Sequence, residues 1–176
     1  MNPRQVPSFR DLLADEAFFK FCFVRNPFTR LLSCYLDKIQ RNRPQKAAIL
    51  RQLGLPEHRL EAPVSFEQFV KAVVEQPVTL MDGHWRVQYY QTLQPGIRFD
   101  FIGRFERLAQ DMRIAGGRIA QDFGSYFGGE VYNGTDAGAA AEHYLTADLK
   151  REIRRKYEID FEHFGYAARG DLLSGL

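Results

Sequence analysis

An α/β domain is the fold class this sequence predicts, and three stretches carry that expectation. Phe18 to Val24 is apolar except for Lys20, and a short run of that kind suits a strand buried on both faces. Asn26-Pro27 follows at once. Asn is a preferred N-cap and Pro fits the first helical position, so a helix starts there. Phe99, Phe101 and Ile102 make a second buried strand that ends at Gly103, with a helical pattern behind it.

Taken in order, Met1 to Asp15 read as an exposed lead with a short helical turn at Phe9 to Leu13. After the first strand, Phe28, Leu31, Leu32, Tyr35, Leu36 and Ile39 recur at helical spacing, which carries the helix to about Gln40. Arg41 to Arg59 holds Arg41, Arg43, Lys46, Arg51 and Arg59 among scattered apolar residues and reads as the helix end and a surface excursion. Its basic residues suit an acidic glycan or, equally, a solvated face. Ser65-Phe66-Glu67-Gln68 is a capping box, and Phe66, Phe69, Val70, Val73 and Val74 follow as a helical stripe stopped by Pro77. Met81 to Tyr90, MDGHWRVQYY, is dense in polar and aromatic groups and holds the single Trp. Glu106 opens another helix, where a carboxylate suits the positive end. Arg107 to Gln121 continues it with an interruption at Gly116–Gly117. Phe123 to Gly138 reads as a loop, and Thr146 caps a last helix with Leu149, Ile153 and Tyr157.

The 176 residues are 45% apolar and 14% aromatic, which is one globular domain spanning 1–176 with a real core. A net charge of +2 is too balanced for a nucleic-acid partner or a membrane surface. No apolar run approaches the roughly 18 to 20 residues of a membrane span, and no signal peptide opens the chain. Cys22 and Cys34 lack CxxC spacing, which is a poor basis for a disulfide or a zinc site; no metal is expected, and buried thiols in a reducing, cytoplasmic setting fit.

Arg25 stands at the join of strand and helix. In an open α/β sheet, ligands bind beyond the carboxyl ends of the strands. A helix N-terminus favours an anion, and an Arg fork grips a phosphate with two hydrogen bonds. Ser33, off the apolar stripe, shares the polar side of the helix with Asn26, Thr29 and Arg30, and its hydroxyl can donate to the same anion. The alternative is an Arg paired with a carboxylate and a Ser facing water.

The run Arg25-Asn26-Pro27-Phe28-Thr29-Arg30-Leu31-Leu32-Ser33-Cys34-Tyr35-Leu36-Asp37-Lys38 resembles the 3′-phosphate-binding motif of the carbohydrate sulfotransferases, R-[DN]-P-[FY]-x-R-L-x-S-x-Y-x-[DN]-K. His84-Trp85-Arg86-Val87-Gln88 is similar to that family's H-W-x-x-Q stretch. Phe99 to Glu106 is similar to its Y-D-[FY]-[IV]-G-[KR]-[FY]-E, and Tyr157 to Tyr166 to its closing Y-x-x-D-[FY]-x-x-[FL]-[GN]-Y. The likeness runs from about Phe18 to Tyr166. It implies a P-loop-like sulfotransferase fold, with a parallel sheet flanked by helices. It also implies transfer of a sulfuryl group from 3′-phosphoadenosine 5′-phosphosulfate (PAPS) to a carbohydrate hydroxyl. In that reading Arg25 and Ser33 bind the 3′-phosphate and Arg104 faces the nucleotide. His84 is the candidate base, with Glu106 second. A glycan or polysaccharide is the expected acceptor.

The sequence departs from the family pattern at its start. The family's first βα unit, with a Gly- and Lys-bearing loop for the 5′-phosphosulfate, has no counterpart between Met1 and Phe18. The expectation is therefore an incomplete enzyme, active poorly if at all on its own. The strand edge left open at Phe18 to Val24 predicts self-association. The alternative from another class is a non-catalytic nucleotide-binding remnant that keeps only the 3′-phosphate site. A P-loop kinase is disfavoured because no GxxxxGK[ST] occurs.

Overall fold

The computed structural model describes residues 8–119 and 137–166. In chain order these form α1 (Phe9–Ala14), β1 (Phe21–Val24), α2 (Pro27–Cys34), α3 (Lys46–Gln52), α4 (Phe66–Glu75), α5 (Gln88–Gln91), β2 (Phe101–Arg104), α6 (Leu108–Ile119), α7 (Ala137–Tyr144), α8 (Ala147–Lys156) and α9 (Glu158–His163). Helices together with a small two-stranded parallel sheet make this an α/β structure. Two compact units divide it, a smaller one from residues 8–24 and 92–119 and a larger one from 25–91 and 137–166.

In the smaller unit β1 and β2 pair in parallel, with Phe21 opposite Phe101 and Val24 opposite Arg104. Asp100 sets up the pairing. Its backbone N–H donates to Lys20 O, and its carboxylate accepts the Lys20 N–H at 2.8 Å. The first strand is shorter than Phe18 to Val24 and is not buried on both faces, since Phe21 is 37% exposed and Val24 alone is fully covered. Side chains two apart on a strand share a face. The rings of Phe19, Phe21 and Phe23 accordingly lean on one another at 5.7 and 6.2 Å, and Phe23 meets Phe101 edge-on at 6.4 Å. Gly103, opposite Phe23, is what admits this ring: a Cβ there would lie 2.4 Å from Phe23 Cε1. Helix α6 packs on β2 and runs unbroken through Gly116 and Gly117, contrary to the expected interruption. Its buried Asp111 accepts the Arg104 N–H at 2.7 Å and ties strand to helix.

The larger unit holds the main core. Asn26 Oδ1 accepts the Phe28 N–H and Pro27 takes the first turn of α2, as the sequence predicts. The α-helix ends at Cys34, however, and a wider π turn, Tyr35–Ile39, replaces its expected extension. Phe28, Leu31, Leu32, Tyr35 and Ile39 still point inward across both segments. The Tyr35 hydroxyl donates to Val64 O at 3.0 Å. Helix α2 packs on α7 and α8, and α4, capped by the expected Ser65–Gln68 box, packs on α3 and α8. The stretch Arg41 to Arg59 is not merely a surface excursion. It contains α3, which buries Ile49 and Leu50 and ends at Gly54, whose φ of +70° closes a left-handed cap with Leu55 N–H donating to Leu50 O. Thr146 caps α8, as expected, but a further helix, α9, follows it. Most of the expected loop Phe123 to Gly138 lies outside the described residues; Ala137 and Gly138 belong to α7. No helix among the described residues is long and apolar enough to cross a membrane.

Candidate active site

The polar side of α2 and the segment 81–88 meet within the larger unit. Arg25, directly after β1, is half-buried, and its Nε donates to Thr29 Oγ1 one turn along the helix at 3.3 Å. The helix end itself offers fewer donors than its position suggests. Pro27 has no N–H, and Asn26 already takes that of Phe28, so the guanidinium is the stronger anion reader at this end. Ser33 lies one turn beyond Thr29 on the same side of α2.

Arg30, between them in sequence, does a different job. Its Nη1 donates to Arg86 O at 2.7 Å and its Nη2 to Gly83 O at 3.0 Å. The Cys34 thiol donates to His84 O at 2.8 Å. These bonds fasten the His84 segment to α2 by its backbone carbonyls. From below, Trp85 is wholly buried, its Nε1 donating to Gln76 Oε1 at 3.0 Å, and the Tyr157 hydroxyl donates to Trp85 O.

His84 therefore has a fixed root and an exposed ring. Its Nδ1 lies 2.6 Å from Asp82 Oδ1, and its backbone N–H donates to the same oxygen at 2.9 Å. A carboxylate at Nδ1 selects the tautomer protonated there, which makes Nε2 the proton acceptor. Burial pushes the Asp82 carboxyl up, but the His84 N–H, the His84 ring and nearby Arg86 hold it below its ordinary value.

Burial pushes the Cys34 thiol up to about 11, against the pull of Arg30, Arg25 and Lys38 and with a small push from Asp82. Behind the segment stands Asp160, with no solvent exposure. It accepts Gln88 N–H at 2.8 Å and Tyr89 N–H at 2.7 Å and so caps α5. Burial raises its carboxyl above the usual range, partly offset by those N–H groups.

Of the sequence-predicted site residues, Arg25, Ser33 and His84 belong to the larger unit, whereas Arg104 and Glu106 belong to the smaller. Arg104 closes β2, and Glu106 sits exposed in a tight turn, Phe105–Arg107, that precedes α6. Sequence reading missed Asp82, although an Asp two residues before a His is a spacing that could have found it. It also gave no role to Asp160, the Asp of the closing motif, whose partner Gln88 lies 72 residues away.

A model of the sulfotransferase family matches residues 5–167. The chain belongs to the sulfotransferase family. It is 32% identical over 162 residues to carbohydrate sulfotransferase 14 of Danio rerio, an alignment that covers 85% of this chain and 44% of the relative. Against carbohydrate sulfotransferase 10 of Homo sapiens it is 32% identical over 183 residues, covering 90% and 50%. Against carbohydrate sulfotransferase 12 of Xenopus laevis it is 29% identical over 180 residues, covering 90% and 42%. The chain spans about half the length of the relatives it matches. No solved structure matches it. The sulfotransferase match takes in β1, α2, the His84 segment, β2 and α9, the same elements on which the sequence motifs fall.

Proposed function

We propose that the protein is a PAPS-dependent carbohydrate sulfotransferase in which Arg25 and Ser33 hold the 3′-phosphate and His84 takes the proton of the acceptor hydroxyl. The observation that carries the reading is the joining of two functional segments. Arg30 and Cys34 bond the His84 segment to the helix that bears the anion-binding motif. An anion reader and a base thus share one rigid piece, as positioning chemistry requires. When bound, PAPS supplies the sulfuryl group. The surrounding cations Arg25 and Arg30 suit its negative charge.

The residues divide the work as follows. The Arg25 fork offers two parallel N–H donors to a phosphate, and Ser33 adds a hydroxyl. Asp82 holds the imidazole by Nδ1, so Nε2 accepts the acceptor proton and the resulting imidazolium is stabilised by the carboxylate. Arg104 on the nucleotide side and Glu106 as an alternative base rest on the motif likeness alone. The acceptor is a glycan, in keeping with its likeness to carbohydrate sulfotransferases 14 and 10.

Transfer of radiolabelled sulfate from PAPS to mixed glycans tests this. His84→Ala is expected to lower turnover about a hundredfold or more with nucleotide affinity intact. Arg25→Ala is expected to weaken adenosine 3′,5′-bisphosphate by roughly 2–5 kcal/mol if that pair is desolvated. Unchanged turnover in the first and unchanged affinity in the second would return both residues to structural roles.

A further inference from the structure

The Gln88 side chain pairs with the backbone of Arg25 from both sides of its amide. Its Oε1 accepts the Arg25 N–H at 2.8 Å, and its Nε2 donates to Arg25 O, also at 2.8 Å. That is the two-bond exchange a neighbouring strand residue would make, supplied here by a side chain. The amide is in turn held in place. Gln88 is 5% exposed, and its Nε2 also lies 3.4 Å from Asp160 Oδ2, the same oxygen that accepts the Gln88 N–H at 2.8 Å. Asp160 has no exposure at all and reaches Tyr89 N–H with its other oxygen.

A buried carboxylate is costly, and here amide N–H groups bond it while the Arg30 charge acts on it in the same favourable sense. Two of its bonds go to residue 88 and the third to the N–H of Tyr89 beside it. Gln88 in turn bonds the backbone of Arg25, whose side chain is proposed to read the nucleotide together with Ser33. Arg25 stands between the end of the strand and the start of the helix, and the Gln88 amide bonds both its N–H and its carbonyl there. Removing the Gln88 amide takes two hydrogen bonds from the backbone that carries the guanidinium.

We infer that Asp160 and Gln88 are positioning residues for Arg25: Asp160 orients the Gln88 amide, and the amide clamps the Arg25 backbone so that its guanidinium presents to the 3′-phosphate. This rests on the proposed reading of Arg25. A displacement of even an ångström at a bidentate contact costs substantial affinity, so the clamp bears on selectivity and not only on folding.

Calorimetry with adenosine 3′,5′-bisphosphate and adenosine 5′-monophosphate tests it. The readout is the ratio of the two affinities, which loss of global stability does not move. Gln88→Met keeps the bulk of the side chain and removes both bonds. The ratio is expected to fall at least fivefold, and to fall no further when Gln88→Met is added to Arg25→Ala. Val70→Ala, a core change in α4 away from Arg25, is expected to leave the ratio alone. If Gln88→Met does not fold, Asp160→Asn replaces it. One amide N–H then opposes the Gln88 donors, and a smaller fall in the same ratio is expected.

A ratio within twofold of the parent in the Gln88 or Asp160 variant, with Arg25→Ala abolishing the preference, overturns the inference and leaves the Arg25 reading intact. An equal fall from Gln88→Met in the Arg25→Ala background also overturns it. No preference in the parent, or an unchanged one in Arg25→Ala, removes Arg25 from the nucleotide site and takes both readings down.

Discussion

Replacing Arg30 by Met should destabilise the larger unit by about 2–4 kcal/mol. The side chain keeps its length and loses its charge and donors. Two bonds disappear, the partly buried one to Arg86 O at 2.7 Å and the more exposed one to Gly83 O at 3.0 Å. Hydrogen bonds to a charged group contribute roughly 1.5–3 kcal/mol each, and the exposed one belongs at or below the low end of that range. The Arg86 carbonyl would lose its guanidinium donor, whereas the Gly83 carbonyl can turn to water. For a chain of this size about 2–4 °C accompanies each kcal/mol, so the melting temperature should fall by roughly 4–16 °C. Trp85 is the single Trp, wholly buried between the two anchored carbonyls, and its fluorescence reports the transition. Sulfate transfer should fall further than stability explains, because His84 loses its anchored backbone. A melting temperature within about a degree of the parent would refute the view that Arg30 fastens this segment.

Other outcomes can be stated briefly. The Asp82 carboxyl sits below its ordinary value, so the stability it contributes is present above the unfolded carboxylate range of about 3.9 and is lost as pH falls through the folded value. Asp82→Asn should therefore cost a modest amount at pH 7, about 0.5–1 kcal/mol given its partial exposure, and urea titrations should show the gap closing below about pH 4. A gap that stays unchanged however far the pH is taken below the carboxylate range would contradict this. Two glycines should respond in opposite directions. Gly103→Ala drives a methyl group into the Phe23 ring and should cost about 1–3 kcal/mol, whereas Gly117→Ala meets nothing within 4 Å in a helix and should gain about 0.5–1 kcal/mol. Finally, burial pushes both cysteine thiols up to about 11, so at pH 8 their thiolates are roughly a hundredfold scarcer than an ordinary cysteine's. Alkylation of the native chain at pH 8 should be slow and should accelerate on unfolding; rapid native labelling at Cys34 would show that its bond to His84 O opens readily.

Local chemistry wrote much of this structure into the sequence. The Asn26-Pro27 start, the apolar stripe from Phe28 to Ile39 and the Ser65–Gln68 box depend on neighbours within a turn or two, and all three stand in the structure. The motif around Arg25 identified the family because its residue types and spacing are contiguous. What the sequence could not display is whatever depends on partners far along the chain. Phe18 to Val24 looked buried on both faces because all its residues but Lys20 are apolar, yet burial is decided by what covers a strand, and Phe21 is left partly open. Gly116–Gly117 looked like a break, but the cost of Gly in a helix is only about 1 kcal/mol each and tertiary packing overrides it. The role of Arg30 was invisible for the same reason. Its place on the polar side of α2 named no partner, and only the fold brings the carbonyls of Gly83 and Arg86 within its reach. Asp160 is the extreme case. No periodicity links it to Gln88 or Arg25, and a chain of hydrogen bonds spanning 72 residues and then 63 exists only once the helices have packed.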